Sequence, residues 1–210
     1  MNLELIQKSG TPHKHGNKLA MLVLVLAVFL CLAFLKAGGS GKTYTFFSAQ
    51  GAGSSLAASE PVAISIPSLD INAAVAPLGL NKDGSIQVPS KDNQVGWYKY
   101  GAAPGQPGAA VLVGHLDSAY GKAVFYNLGK LKIGQEIQVA IAGGSVAVFK
   151  VDSLEQAPQN NFPTAKVYGK IAYPGIRLIT CSGVYNKKEK HYSNNLIVYG
   201  SLVEIRAPKY

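Results

Sequence analysis

Cys181 is the residue of this sequence best suited to nucleophilic chemistry. It follows the short apolar run at residues 176–180 and precedes Ser182 and Gly183, a pattern typical of a buried β-strand that ends at the surface. The sequence contains one other cysteine, Cys31, which lies far upstream inside an apolar segment. If that segment spans a membrane, the two thiols cannot form a disulfide. Cys181 is therefore either a packed apolar side chain or a reactive thiol.

A cysteine nucleophile needs a neighbouring base, and the sequence contains four histidines. His13 and His15 lie in the polar N-terminal segment and are expected on the other side of the membrane. His115 ends the apolar run at residues 109–115, whereas His191 lies in a lysine-rich stretch typical of a solvated loop. We therefore predict His115 as the base in preference to His191. The alternative, a structural histidine that takes no part in chemistry, stays open at this point.

Other kinds of site find little support in the sequence. Asp117, two residues after His115, either orients the imidazole or begins a turn, and we favour the turn. One cysteine and two usable histidines give no zinc-type ligand spacing, and no phosphate-binding glycine-rich loop is present. We therefore expect neither a metal nor a cofactor.

The net charge of +9 comes almost entirely from lysines, since Arg177 and Arg206 are the only two arginines. Nucleic-acid grooves usually combine clustered arginines with stacking aromatic residues, whereas these lysines are scattered. We expect no nucleic-acid partner. A basic surface that faces an anionic membrane or cell wall is the simpler interpretation.

The chain divides into four regions. Residues 1–18 form a basic tail, and residues 19–36 contain an uncharged apolar run that is just long enough to cross a bilayer. The preceding lysines place the tail in the cytoplasm and the rest of the chain outside the cell. We predict an uncleaved signal anchor; a cleaved signal peptide is the alternative. Residues 37–60 are a flexible Gly/Ser/Ala tether, and residues 61–210 are the folded domain.

The folded domain is predicted to be mainly β, with little helix. Residues 142–144 join two of its strands in a hairpin, and residues 123–128 are predicted as a short helix. Because open sheet edges favour aggregation, about eight short strands predict a closed or nearly closed barrel. The predicted strands are residues 62–66, 71–75, 80–88, 109–115, 136–141, 145–151, 176–181 and 195–205, and residues 80–88 carry a Lys-Asp-Gly turn at residues 82–84.

Several segments of the domain resemble the sortase family. Residues 111–118 resemble its histidine segment, and residues 178–181 resemble its Thr-hydrophobic-Thr-Cys segment. Residues 177–183 are similar to the variant found in class F-like sortases. Residues 125–128, with residues 131–136, resemble the segment that follows the histidine. The resemblance covers residues 62–206 and includes the N-terminal anchor expected of the family.

The resemblance implies a membrane-anchored cysteine transpeptidase on an eight-stranded closed barrel. Cys181 would attack a carbonyl in an LPXTG-like C-terminal sorting signal and form an acyl-thioester, with His115 as the acid and base. An amine acceptor, either a cell-wall precursor or a pilin lysine, would then resolve the thioester. The enzyme would act outside the cell on secreted surface proteins.

The sequence departs from the family at a third position. Sortases usually carry an arginine on the last strand, and the family spacing places that position at Asn194. Either Asn194 donates a neutral hydrogen bond, or Arg177 reaches the site from four residues upstream of Cys181. The missing arginine leaves a catalytically weak peptide-binding module as an alternative. A different cell-wall cysteine hydrolase or transpeptidase is a further alternative.

Overall fold

The computed structural model describes residues 60–208, and these residues contain ten β-strands. The strands are β1 (Pro61–Ile66), β2 (Ile71–Leu78), β3 (Val95–Tyr98), β4 (Gly108–Gly114), β5 (Asp117–Ser118), β6 (Gly121–Lys122), β7 (Glu136–Ile141), β8 (Val146–Pro158), β9 (Pro174–Asn186) and β10 (His191–Arg206). One α-helix, α1 (Thr164–Tyr168), and three 3₁₀ helices (Pro67–Leu69, Leu128–Lys130 and Gln159–Asn161) complete the described elements.

Eight of these strands form a closed barrel in the order β1-β2-β3-β4-β9-β10-β8-β7. Neighbouring strands are antiparallel except for two parallel pairs, β2 with β3 and β4 with β9. The short strands β5 and β6 form a separate hairpin directly after β4. The predicted eight-stranded closed barrel, mainly β with short helices, is confirmed.

Two apolar clusters lie on opposite faces of the same strands. The larger one takes side chains from all eight barrel strands, including Leu112 and Leu178, and therefore fills the barrel. The smaller one takes Val113 and Ile179 from the outer face of β4 and β9 and packs them with Val167 of α1. Strands buried on both faces need largely apolar sequence, which explains the apolar run that precedes His115 and the mostly apolar run, interrupted by Arg177, that precedes Cys181.

One predicted strand is wrong and one observed strand was not predicted. Residues 80–88 form a turn closed by the single bridge Leu80–Ile86, because Asp83 accepts hydrogen bonds from the backbone and hydroxyl of Ser85. The missing barrel strand is β3. An added Cβ at Gly96 would overlap the Leu78 side chain, so the glycine allows β3 to lie close against β2.

The helix predicted at residues 123–128 is also wrong. The backbone N–H of Val124 donates to the Asp92 carbonyl at 2.8 Å, and that of Phe125 donates to the His115 carbonyl at 3.0 Å. These long-range bonds hold the segment as turns beside the histidine, and the 3₁₀ helix begins only at Leu128. The helix that does form, α1, lies in the connection between β8 and β9.

The predicted tail, signal anchor and most of the tether, residues 1–59, lie outside the described residues. Within residues 60–208, no helix has the length and hydrophobicity needed to cross a membrane.

Candidate active site

Cys181 lies in β9 at the point where burial of the strand ends. Residues 176–180 are buried, Cys181 is half-buried, and the strand continues as far as Asn186 with exposed side chains beyond Ser182. Cys181 forms no disulfide. The thiol is therefore at the edge of the core, where it is held by a rigid strand and still reached from solvent.

The parallel pairing of β4 with β9 brings His115 to this thiol. Val111 pairs with Arg177 and Val113 pairs with Ile179. Continuing the same register by two residues places His115 beside Cys181, one strand spacing away and on the same face. The two residues are far apart in sequence, and the sheet alone makes them neighbours.

The imidazole of His115 is oriented by a backbone carbonyl. Its Nε2 lies 2.8 Å from the carbonyl oxygen of Pro89. A carbonyl oxygen only accepts, so Nε2 carries the hydrogen, and Nδ1 is the nitrogen of the neutral ring that can take a proton. The ring is thus held as one tautomer with its basic nitrogen free.

His115 and Cys181 line a common cleft of about 500 Å³. The hairpin β5–β6 contributes Asp117 to its wall, the end of β9 contributes Tyr185, and the start of β10 contributes His191 and Tyr192. A cleft of this size accommodates a short extended peptide segment.

Asp117 is held firmly in the cleft wall. It is the first residue of β5 and pairs with Lys122 of β6, whereas the turn that was favoured for it lies at residues 119–120. Its carboxylate accepts a very short hydrogen bond from the Tyr192 hydroxyl. This bond, together with burial, raises the pKa of Tyr192 to about 12. Asp117 and Cys181 thus line the same cleft, and within the described residues Asp117 makes no hydrogen bond to the His115 imidazole.

The electrostatic surroundings of Cys181 disfavour the thiolate. Burial raises the pKa of the thiol, and the negative charge of Asp117 raises it further. The thiol is therefore protonated at neutral pH, and a thiolate can form there only by proton transfer to a base.

We expect the Asp117→Asn variant to alkylate at lower pH than the wild type. The carboxylate destabilises the thiolate, so its removal lowers the pKa of Cys181 and moves the pH profile of iodoacetamide labelling towards acid. The rate of labelling, measured by mass spectrometry across a pH series, checks this shift. Glu189→Gln removes a carboxylate outside the cleft and serves as the control. An unchanged or more alkaline midpoint for Asp117→Asn would contradict the assignment.

Asn195, not Asn194, is the residue paired with Cys181 across β9 and β10. A bulge between Tyr192 and Asn194 shifts the register, and Asn194 pairs instead with Ser182. Asn195 is 1% exposed, and its side-chain Oδ1 has no hydrogen-bond partner among the described residues. The strand pairing therefore places an amide across from the thiol; its Oδ1 is an unused acceptor, and only its Nδ2 could donate a hydrogen bond.

Arg177 lies on the face of β9 that carries Cys181, but its guanidinium is bound by other groups. Its guanidinium is buried, donates to the Ile176 carbonyl at 3.0 Å and lies over the Tyr199 ring at 4.8 Å. Arg177 does not belong to the described lining of the cleft. The structure thus does not bring Arg177 together with the thiol.

His191 also lines the cleft, but in a different setting. It is exposed, and its Nε2 lies 2.9 Å from the Glu189 carboxylate in the turn between β9 and β10. Among residues 60–208, no group of three or more His, Cys, Asp or Glu side chains is arranged to hold a metal ion.

Comparison with known proteins identifies the family. A model of the Sortase domain matches residues 64–203, which is more than half of the chain. The chain belongs to the sortase family. No curated protein sequence matches this sortase at a significant level.

Solved sortases share its fold. Sortase A from Corynebacterium diphtheriae is 22% identical with a TM-score of 0.54, over 70% of this chain and 62% of that one. Sortase C-1 from Actinomyces oris is 24% identical with a TM-score of 0.54, over 69% and 76%. Streptococcus pneumoniae sortase C is 20% identical with a TM-score of 0.55, over 71% and 70%. This sortase thus spans less than two thirds of the Corynebacterium chain.

Proposed function

We propose that this sortase is a membrane-anchored cysteine transpeptidase that cleaves an LPXTG-like C-terminal sorting signal. The observation that carries the proposal is the register of β4 and β9, which sets His115 beside Cys181 in a peptide-sized cleft. The similarity of residues 177–183 to class F-like sortases supports, as part of the same proposal, an enzyme of that class. We propose no metal or cofactor for the reaction.

In the first half-reaction the thiol of Cys181 attacks the scissile carbonyl of the sorting signal. Nδ1 of His115 takes the thiol proton as the carbon–sulfur bond forms, because the raised pKa keeps the free thiol protonated. The carbon–nitrogen bond then breaks, and His115 returns the proton to the leaving amine. The products are an acyl-thioester on Cys181 and the free C-terminal fragment.

In the second half-reaction an amine attacks the thioester and Cys181 leaves as the thiol. The new peptide bond links the surface protein to its acceptor, which we propose is a cell-wall precursor or a pilin lysine. Streptococcus pneumoniae sortase C, whose fold this chain shares, has a pilin substrate specificity, and this similarity supports the second of these acceptors.

We assign the hydrogen-bond donor for the oxyanion to Asn195 in place of Asn194 or Arg177. Asn195 stands across from Cys181, whereas Asn194 is paired one residue away and the Arg177 guanidinium is bonded elsewhere. A neutral amide can stabilise the developing negative charge when it is held in place before reaction.

We expect Asn195→Ala to lower kcat for peptide cleavage by roughly 10²- to 10³-fold, the usual cost of removing one oxyanion donor. The substitution removes a buried unpartnered group, so the fold should tolerate it. Steady-state kinetics and the thermal midpoint check both points. Asn194→Ala is the matched control. A loss confined to Asn194→Ala would show that the assignment to Asn195 is wrong.

Location and partners follow from the N-terminal region. We propose that residues 19–36 anchor the enzyme with residues 1–18 in the cytoplasm and residues 61–210 outside the cell, where it meets secreted surface proteins. The apolar run and the lysines that precede it support this arrangement.

A thioester-trapping experiment tests the proposed function. The full chain is incubated with Leu-Pro-Xaa-Thr-Gly peptides and with a library varied at the motif positions. We expect an adduct on Cys181 with the mass of the acyl fragment, released by hydroxylamine. Peptide binding without an adduct would favour the alternative, a binding module on the sortase fold. Acylation by other library members alone would replace the proposed motif and keep the transpeptidase.

A further inference from the structure

Three features of the cleft point to a cationic ligand. Asp117 is the one carboxylate among the described residues that line it, and no ion pair within residues 60–208 neutralises that charge. Tyr185 and Tyr192 line the same cleft with ring centroids 5.1 Å apart. Carboxylates and aromatic faces are the groups that bind alkylammonium ions.

Hydrogen bonds also hold Asp117 in position without any ligand. The Tyr192 hydroxyl donates a hydrogen bond to Oδ2 of Asp117, so within the described residues Oδ1 can accept a hydrogen bond from a ligand. The hairpin that carries Asp117 is fixed from behind, because the neighbouring Ser118 donates to the Asp92 carboxylate at 2.6 Å. Preorganised groups of this kind bind a ligand without first losing conformational freedom.

The chemistry of the thiol alone does not explain the negative charge of Asp117. Asp117 opposes formation of the thiolate, so it hinders the first half-reaction. The second half-reaction has a different requirement, because a primary alkylamine is protonated at neutral pH and needs a carboxylate to bind it close to the thioester. A carboxylate that opposes the first step therefore suits the second.

We propose that the Asp117 carboxylate and the rings of Tyr185 and Tyr192 bind the acceptor amine in its ammonium form. The ligand is a primary alkylammonium, either a lysine side chain or a free peptide N-terminus. The proposal rests on the proposed transpeptidase function and adds the site of its second substrate. Lys190, the other charged group of the cleft, lies in the turn between β9 and β10 and makes no ion pair with Asp117.

The proton balance of the step is complete within the cleft. The bound ammonium gives one proton to Nδ1 of His115, and the neutral nitrogen attacks the thioester carbon. The carbon–nitrogen bond forms, the carbon–sulfur bond breaks, and the second amine proton ends on the departing sulfur of Cys181. The amide keeps one hydrogen, and the positive charge of the ammonium passes to the imidazolium.

A competition between two nucleophiles tests this site. The full chain is acylated with the peptide that forms the thioester above and is offered a mixture of Nα-acetyl-lysine amide, which is cationic, and hydroxylamine, which is uncharged at neutral pH. Mass spectrometry gives the ratio of lysine product to hydroxamate. This ratio depends on the fate of the thioester and not on how fast it forms.

We expect Asp117→Asn to lower that ratio roughly tenfold to hundredfold, the range for losing one charged hydrogen bond. Asp117→Glu should recover part of the loss. Glu189→Gln, which removes a carboxylate outside the cleft, should leave the ratio at the wild-type value. Equal losses for both nucleophiles, or an unchanged ratio in Asp117→Asn, would overturn the proposal.

The wild-type enzyme provides an independent measurement that needs no variant. Raising the salt concentration screens the attraction of a cation to the cleft and should lower the lysine-to-hydroxamate ratio progressively. A ratio that is independent of salt would count against the site. A wild-type enzyme that forms no thioester with any peptide would overturn the transpeptidase and this site together, whereas a thioester with an unresponsive ratio overturns this site only.

Discussion

Cys181→Ala should lose thioester formation completely and reduce peptide cleavage by roughly 10⁴-fold or more, as expected when a covalent nucleophile is removed. Alanine keeps the backbone of β9 and deletes only the sulfur, so the barrel should remain folded. Intact-mass measurement after incubation with peptide, together with steady-state cleavage rates, gives the result directly. Cys181→Ser should also be inactive, because a hydroxyl is far less acidic than a thiol and no strong base is present to ionise it.

The thermal unfolding midpoint of Cys181→Ala distinguishes loss of chemistry from loss of structure. Cys181 is half-buried and makes no disulfide, so the midpoint should stay close to that of the wild type. Cleavage that survives in a folded Cys181→Ala protein would show that another group is the nucleophile.

His115→Gln should lower kcat/KM for cleavage by about 10²- to 10⁴-fold, the usual contribution of a positioned acid and base. Glutamine keeps a polar side chain that can still donate to the Pro89 carbonyl, but it cannot take the proton of the thiol. The variant should therefore fold and expose a labelable thiol while turning over poorly. Cleavage kinetics and iodoacetamide labelling of the same sample check the two parts.

His191→Ala is the matched control for the histidine assignment. Both imidazoles line the cleft, but His191 is exposed and bonded to Glu189. We expect nearly wild-type cleavage from His191→Ala. Loss of turnover in His191→Ala, combined with activity in His115→Gln, would reverse the roles of the two residues.

The strands that carry the site were predictable because strands buried on both faces have recognisable, largely apolar sequences. Strands β4 and β9 are covered on both faces and therefore show largely apolar runs, which also locate His115 and Cys181 where those runs end. The hairpin of β7 and β8 was predictable for a different reason, the paired glycines Gly143 and Gly144, which both adopt positive φ.

The elements that sequence reasoning missed depend on distant partners. Strand β3 has four residues, and its Gly96 is explained only by the Leu78 side chain on the neighbouring strand. Residues 123–128 look helical, but bonds to Asp92 and His115 hold them as turns. Local propensity carries no information about such partners.

The residue that pairs with Cys181 could not be identified from the sequence, because a bulge cannot be counted along it. Family spacing points to Asn194, yet the shift after Tyr192 gives Asn195 the place across from Cys181. Asp117 was treated as a turn former, whereas it lies in β5, and its bond to Tyr192 depends on the approach of β10 to the hairpin. Its position two residues after the predicted base was the available signal for a second role.

The parallel pairing of β4 with β9 also determines when Cys181 and His115 come together during folding. A parallel pair has no hairpin to nucleate it, and the whole stretch from β5 to α1 has to be looped out before Val113 meets Ile179. Contacts between residues so distant in sequence form slowly, because closing the loop costs entropy before the new contacts can offset that cost. The thiol of Cys181 and its proposed base thus become neighbours only once β4 pairs with β9, so the proposed chemistry cannot begin before that step of folding.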